Sequence, residues 1–89
     1  MVRHISILVT GKVQGVFFRA TTKAKADELG VKGFVRNQPD GRVYIEAEGD
    51  PVVLSAFEFW CKTGPPRARI ERLDVIGGDL KFYSDFSIQ

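Results

Sequence analysis

Gly11-Lys12-Val13-Gln14-Gly15-Val16-Phe17-Phe18-Arg19 marks the place where the chain changes its repeat. Before it, Ile5, Ile7 and Val9 alternate with Ser6, Leu8 and Thr10, the period of two that belongs to a half-buried strand. After it, Phe18, Thr22, Ala26 and Leu29 recur at helical spacing among Lys23, Lys25, Asp27 and Glu28. Gly30 stands where a helix C-cap glycine belongs. The quoted stretch is therefore a strand-to-helix junction. Such a junction leaves backbone N–H groups unpaired at the helix N-terminus, and with the helix dipole they favour an anion. Glycines let the backbone close around that anion, and Arg19 adds a planar fork of donors suited to phosphate. The same residues also fit an ordinary strand–helix turn with a surface arginine.

Outward from the junction, Val31 to Gln38 reads as a second strand, with Val31, Gly33, Val35 and Asn37 on one parity. Pro39-Asp40-Gly41 is a turn signal. Val43, Ile45 and Ala47 then alternate with Tyr44, Glu46 and Glu48, so the second and third strands form a hairpin. Asp50 and Pro51 open a second helix as cap and first residue, with Val53, Ala56, Phe57 and Trp60 on one face. Gly64-Pro65-Pro66 stops it. Ala68 and Ile70 share one parity and Leu73 and Val75 the other, which predicts a bulge near Glu71-Arg72 in a fourth strand. Gly77-Gly78-Asp79 reads as a loop, and Phe82, Ser84, Phe86 and Ile88 as a short last strand.

This order, βαββαβ plus a short C-terminal strand, predicts an α+β fold. It is the ferredoxin-like split βαβ sandwich, two helices on one face of an antiparallel sheet. Right-handed crossovers make the first two strands parallel with the third between them. The Gly11–Arg19 loop and the Asn37–Gly41 turn then meet at one end of the sheet.

The 89 residues suit a single domain spanning 1–89, and 44% hydrophobic with 27% charged residues excludes a disordered tail. The net charge of +2 tolerates an anionic ligand without indicating a nucleic-acid binder. Cys61 is the only cysteine and His4 the only histidine, which excludes an intramolecular disulfide and the usual zinc sites. Met1 to His4 leads into a strand rather than a signal peptide, and no apolar run has membrane-spanning length. The expectation is a cytoplasmic monomer.

Asn37, the only asparagine, lies at the end of the second strand and faces the glycine loop across the third. Its amide can accept from a water and donate to an anion. It also fits a turn-forming role before Pro39-Asp40-Gly41. There is no Ser-His-Asp set, and Cys61 at the far end of the second helix reads as an inert half-buried thiol. Asp40, the one carboxylate beside the loop, reads as a turn residue. What remains is positioning and charge stabilisation, the protein's main contributions to phosphoryl transfer. They would act on an intrinsically labile phosphate such as a mixed carboxylic–phosphoric anhydride.

Val9 to Arg19 resembles the first signature of the acylphosphatase family. Gly33-Phe34-Val35-Arg36-Asn37, with Gly41, Val43 and Gly49 at their spacings, resembles the second. Gly64-Pro65-Pro66 and the Phe86-Ser87-Ile88 ending are similar as well. The resemblance implies hydrolysis of an acyl phosphate to a carboxylate and inorganic phosphate, with no metal, no cofactor and no covalent intermediate. It implies that the backbone of Gln14, Gly15, Val16, Phe17, Phe18 and Arg19 cradles the phosphate. Arg19 would bind the phosphate oxygens and Asn37 would orient the attacking water. It implies a small-molecule acyl phosphate partner, with inorganic phosphate as product and inhibitor, and neither nucleic acid nor membrane. Phe17 after Val16 is a less usual feature.

Two other classes compete. The fold also serves RNA-recognition modules, and Lys32-Gly33-Phe34 matches the opening of an RNA-binding signature, though on the second strand rather than the third. Leu8, Phe34 and Tyr44 would share the sheet face away from the helices, with Arg67, Arg69 and Arg72 as a basic face. The second is a phosphate-binding accessory domain. Related domains occur fused to larger enzymes, whereas this chain reads as the domain alone.

Overall fold

The computed structural model describes residues Met1–Gln89. Five strands and two helices follow one another as β1 (Arg3–Lys12), α1 (Phe18–Leu29), β2 (Lys32–Asn37), β3 (Val43–Gly49), α2 (Pro51–Thr63), β4 (Arg69–Gly78) and β5 (Phe86–Ile88). The sheet order is β4-β1-β3-β2-β5. β3 pairs antiparallel with both β1 and β2, so β1 and β2 run the same way with β3 between them, as the topology requires.

Register assigns the faces. Ile7 and Val35 both pair with Ile45, and Val9 and Asn37 both pair with Val43. These rows face the helices. Ile7, Val9, Val35, Val43, Ile45 and Ala47 are buried there with Phe18 and Ala26 of α1 and with Leu54, Phe57 and Cys61 of α2. Asn37 is thus carried on the helix side, at the sheet end where β1 leaves for α1.

The sheet is not purely antiparallel. β5 joins the outer edge of β2 in parallel, Gly33 opposite Phe86 and Val35 opposite Ile88. The backbone closes this pairing with Gly33 N donating to Asp85 O at 2.8 Å and Gln89 N to Val35 O at 2.9 Å. The expected last strand from Phe82 is correspondingly shorter, because Lys81 and Tyr83 give their N–H groups to Glu48 at 2.6 and 3.2 Å instead of to a ladder. Gly77 and Gly78, read as loop, extend β4 opposite Ile5 and His4. A Cβ on Gly78 would stand 3.0 Å from the His4 ring, so glycine there allows close packing rather than a turn. The bulge at Glu71 is as expected: Thr10 pairs with Arg72 and Gly11 with Ile70. β4 pairs only with β1 and has an open outer edge.

α2 buries a stripe that overlaps the expected one, with Phe57 in the core and Val53 and Trp60 packed against it, but is rotated from it. Leu54 and Cys61 are core and Ala56 is exposed, because the helix is apolar on several faces and two stripes satisfy the same period. Cys61 is fully buried, and burial pushes its thiol far above the ordinary range, with Glu58 adding to the shift. Asp50 occupies the N-cap of α2 without a side-chain cap bond; its carboxylate meets the N-terminal amine at 3.3 Å. Neither helix is long and apolar enough to cross a membrane.

The face away from the helices is strapped rather than bare. Residues 79–85 cross it, held by Glu46 and Glu48 of β3. His4 Nδ1–H donates to Glu48 at 2.8 Å, and the Tyr44 and Tyr83 hydroxyls donate to Glu46. Burial acts to raise both carboxyl pKa values. Donation from Tyr83 and Tyr44 with the Lys81 charge lowers Glu46, and the Lys81 N–H, His4 and the Tyr83 N–H lower Glu48, so both lie below the ordinary 4.5. A carboxylate lowered on folding stabilises the fold above its unfolded pKa, and the contribution is lost as pH falls through the folded value. Glu48→Gln should therefore cost about 2 kcal/mol at pH 7 by urea unfolding, with the deficit shrinking as pH falls below the ordinary 4.5 and through the lowered folded value. An undiminished deficit at low pH would show that the charge is not what holds the strap. Phe34 lies under this strap, edge-on to Tyr83 at 5.9 Å, and Arg36 covers Tyr44 at 5.0 Å. Leu8, Phe34 and Tyr44, the trio that suggested base stacking, are packed cross-strand, Leu8 opposite Tyr44 and the Tyr44 ring against Phe34, with Phe34 only 7% exposed.

Candidate active site

The β1–α1 loop is built with its apolar side chains inward and its backbone outward. Val13, Val16 and Phe18 are core residues at 1–3% exposure, and Phe18 meets the Trp60 ring at 6.0 Å. Between these anchors the chain takes positive φ at Gly15 (73°) and again at Phe17 (62°), with Val16 in the ordinary region. Alternating handedness of this kind turns successive N–H groups to one side and forms a concave anion nest. No backbone carbonyl accepts from the N–H groups of Gln14, Gly15, Val16 or Phe17. The first helical donor to find a partner is Thr21, whose N–H and hydroxyl both donate to Phe17 O, at 3.0 and 2.7 Å. The N-terminus of α1 thus presents its free donors to the outside, with no acidic residue in its first turn.

Gln14 braces this nest. Its Nε2 donates to Gln38 O at 2.8 Å and to Arg42 O at 2.9 Å, tying the loop to the β2–β3 turn. The spatial meeting of the two segments is thereby fixed by one side-chain amide. Only the Gln14 backbone N–H is left for an anion. Asp40 in the same turn is claimed by Arg42, whose backbone N–H donates at 3.0 Å and whose guanidinium also binds it. The Arg42 side-chain hydrogen bond holds Asp40 below the usual carboxylate range, so it is an anion with its partner already chosen and a poor base.

Arg19 and Asn37 come together in a concavity of about 300 Å3 that Gly15, Phe17 and Ile88 also line. Arg19 is half-buried and has no carboxylate partner. Asn37 Oδ1 is buried and has no hydrogen-bond partner. A cation without a counter-ion and a buried acceptor without a donor in one hollow are costs unless something binds there.

The family model for acylphosphatase matches residues 5–88. The chain belongs to the acylphosphatase family. Relatives of this family are hydrolases of acid anhydrides. An acylphosphatase of Marinobacter nauticus is 57% identical over 81 residues, 91% of this chain and 86% of that one. Among solved structures, an acylphosphatase from Coxiella burnetii superposes with a TM-score of 0.96 at 35% identity, covering 99% of this chain and 93% of the other. One from Bacillus subtilis gives 0.95 at 37% identity, covering 100% and 99%. Within this acylphosphatase-family chain, the sequence reading missed Ile88 in the hollow's lining and, behind the loop, the Thr21 hydrogen bonds. Ile88 arrives through the parallel β5 pairing, for which no local signal exists. Thr21 fixes the Phe17 carbonyl, and only its place in the first helical turn hinted at that.

Proposed function

We propose that residues 1–89 act as one acylphosphatase domain, a cytoplasmic monomer, hydrolysing acyl phosphates without metal or covalent intermediate. The observation that carries this reading is the convergence on one hollow of free loop N–H groups, the unpaired Arg19 and the unsatisfied Asn37 Oδ1. The N–H groups of Gln14 to Arg19 hold the phosphate, and the Arg19 fork neutralises the charge spread over its oxygens. Asn37 Oδ1 accepts from a water and aims its lone pair at phosphorus. As the water oxygen bonds to phosphorus, the phosphorus–oxygen bond to the acyl group breaks and the carboxylate leaves with its electrons. The water's proton passes to a phosphate oxygen, consistent with Asp40 being tied up by Arg42. No protein base is then needed.

Turnover of benzoyl phosphate tests the reading. We expect hydrolysis insensitive to a chelator, with inorganic phosphate as a competitive inhibitor because it fills the same nest. Absence of turnover, or turnover abolished by chelator and restored by a divalent metal, would overturn it.

A further inference from the structure

The hollow has a second, apolar half that phosphate does not use. Phe17 holds a left-handed backbone (φ 62°, ψ 23°), which a side chain disfavours and which glycine would occupy freely. Its ring is 71% exposed. The core is anchored by Val13, Val16 and Phe18 on either side, so the ring at position 17 contributes nothing to the interior. Phe82 shares this combination of left-handed backbone and exposed ring, but of the two only Phe17 borders the hollow that Arg19 and Asn37 line. Ile88 is the other large exposed apolar residue of the hollow, 44% exposed, set there by its pairing with Val35 two residues before Asn37. Val13 and Ala20 add to the apolar lining.

An acyl phosphate has the same division, a dianionic head and an acyl group that can be apolar. We propose that Phe17 and Ile88 form an acyl-group subsite, which selects acyl phosphates bearing an aromatic or branched apolar acyl group over small ones such as acetyl phosphate. This rests on the acyl phosphate reading above and names its substrate class. The volume, about 300 Å3, accommodates a phosphate and one ring-sized group and little more. Ring-on-ring contact with Phe17 and aliphatic contact with Ile88 act on the acyl group and leave the phosphate contacts common to all substrates.

The test is the ratio of kcat/KM for benzoyl phosphate to that for acetyl phosphate, each normalised to its uncatalysed hydrolysis. It is measured for the unaltered chain, Phe17→Gly and Ile88→Ser. Glycine at 17 suits the left-handed backbone, so that variant keeps the loop shape while removing the ring. We expect a ratio well above one in the unaltered chain, falling about tenfold in each variant. A ratio near one in the unaltered chain, or a ratio unmoved in both active variants, overturns the subsite alone. A fall in one variant only overturns the pairing of the two residues. Failure of the unaltered chain to turn over either compound overturns the acyl phosphate reading itself.

Discussion

Arg19→Ala should lower kcat/KM for benzoyl phosphate about a thousandfold, on the order of 4 kcal/mol of transition-state stabilisation. The guanidinium is the one cation lining the hollow, and no protein carboxylate shares it. For that reason its removal should leave folding nearly untouched, with a urea midpoint within about 0.5 kcal/mol of the parent. Arg19→Lys should fall between, since an ammonium supplies charge without the planar fork. The affinity for inorganic phosphate should weaken with the rate, because the ground state and the transition state both carry the charge that Arg19 meets. A variant that keeps a tenth of the parent activity would remove Arg19 from the proposed site.

Asn37→Ala should separate activity from stability. Losing the acceptor that aims the water should reduce kcat about a hundredfold or more, with KM little changed, because the amide acts on the nucleophile rather than on the phosphate held by the loop. The same substitution removes a buried oxygen that has no hydrogen-bond partner. The folded state should therefore gain about 1 kcal/mol, a rise of several degrees in Tm for a chain of this size. Opposite signs in rate and stability are what a functional strain site gives. Were Asn37 only a turn former, its loss would destabilise the fold and spare kcat, and that outcome would defeat the assignment.

The alternations Ile5-Ile7-Val9 and Val43-Ile45-Ala47 state their own faces, and with the split order of elements they put Asn37 at the same end of the sheet as the Arg19 loop. Side-chain period is a local property, and these strands obey it. The features that escaped are those decided elsewhere in the chain. Phe82 and Ser84 alternate like a strand, but Glu48 takes the neighbouring N–H groups across the sheet. The parallel pairing of β5 depends on that strap, so Ile88 could not be placed in the hollow from its own surroundings. The α2 stripe was ambiguous because Val52 and Phe59 are apolar yet face solvent, at 81% and 72% exposure. Of the nest, Gly15 announces its left-handed backbone, whereas Phe17 disguises the same conformation behind a side chain that ordinarily avoids it.

The open outer edge of β4 bears on how this chain behaves when concentrated. A ten-residue strand with one side unpaired is a template for another molecule's backbone, and fibre-like stacking starts from such edges. Here the exposed strand carries Arg69, Glu71 and Arg72, with Asp74 bridged to Arg72 at 3.0 Å, and the Glu71 bulge interrupts its ladder. The opposite edge, β5, is protected by being only three residues long. Two of the arginines that looked like a nucleic-acid surface, Arg69 and Arg72, thus sit on this open edge with Glu71 and Asp74, where a second copy laid edge to edge would have to accommodate their charges.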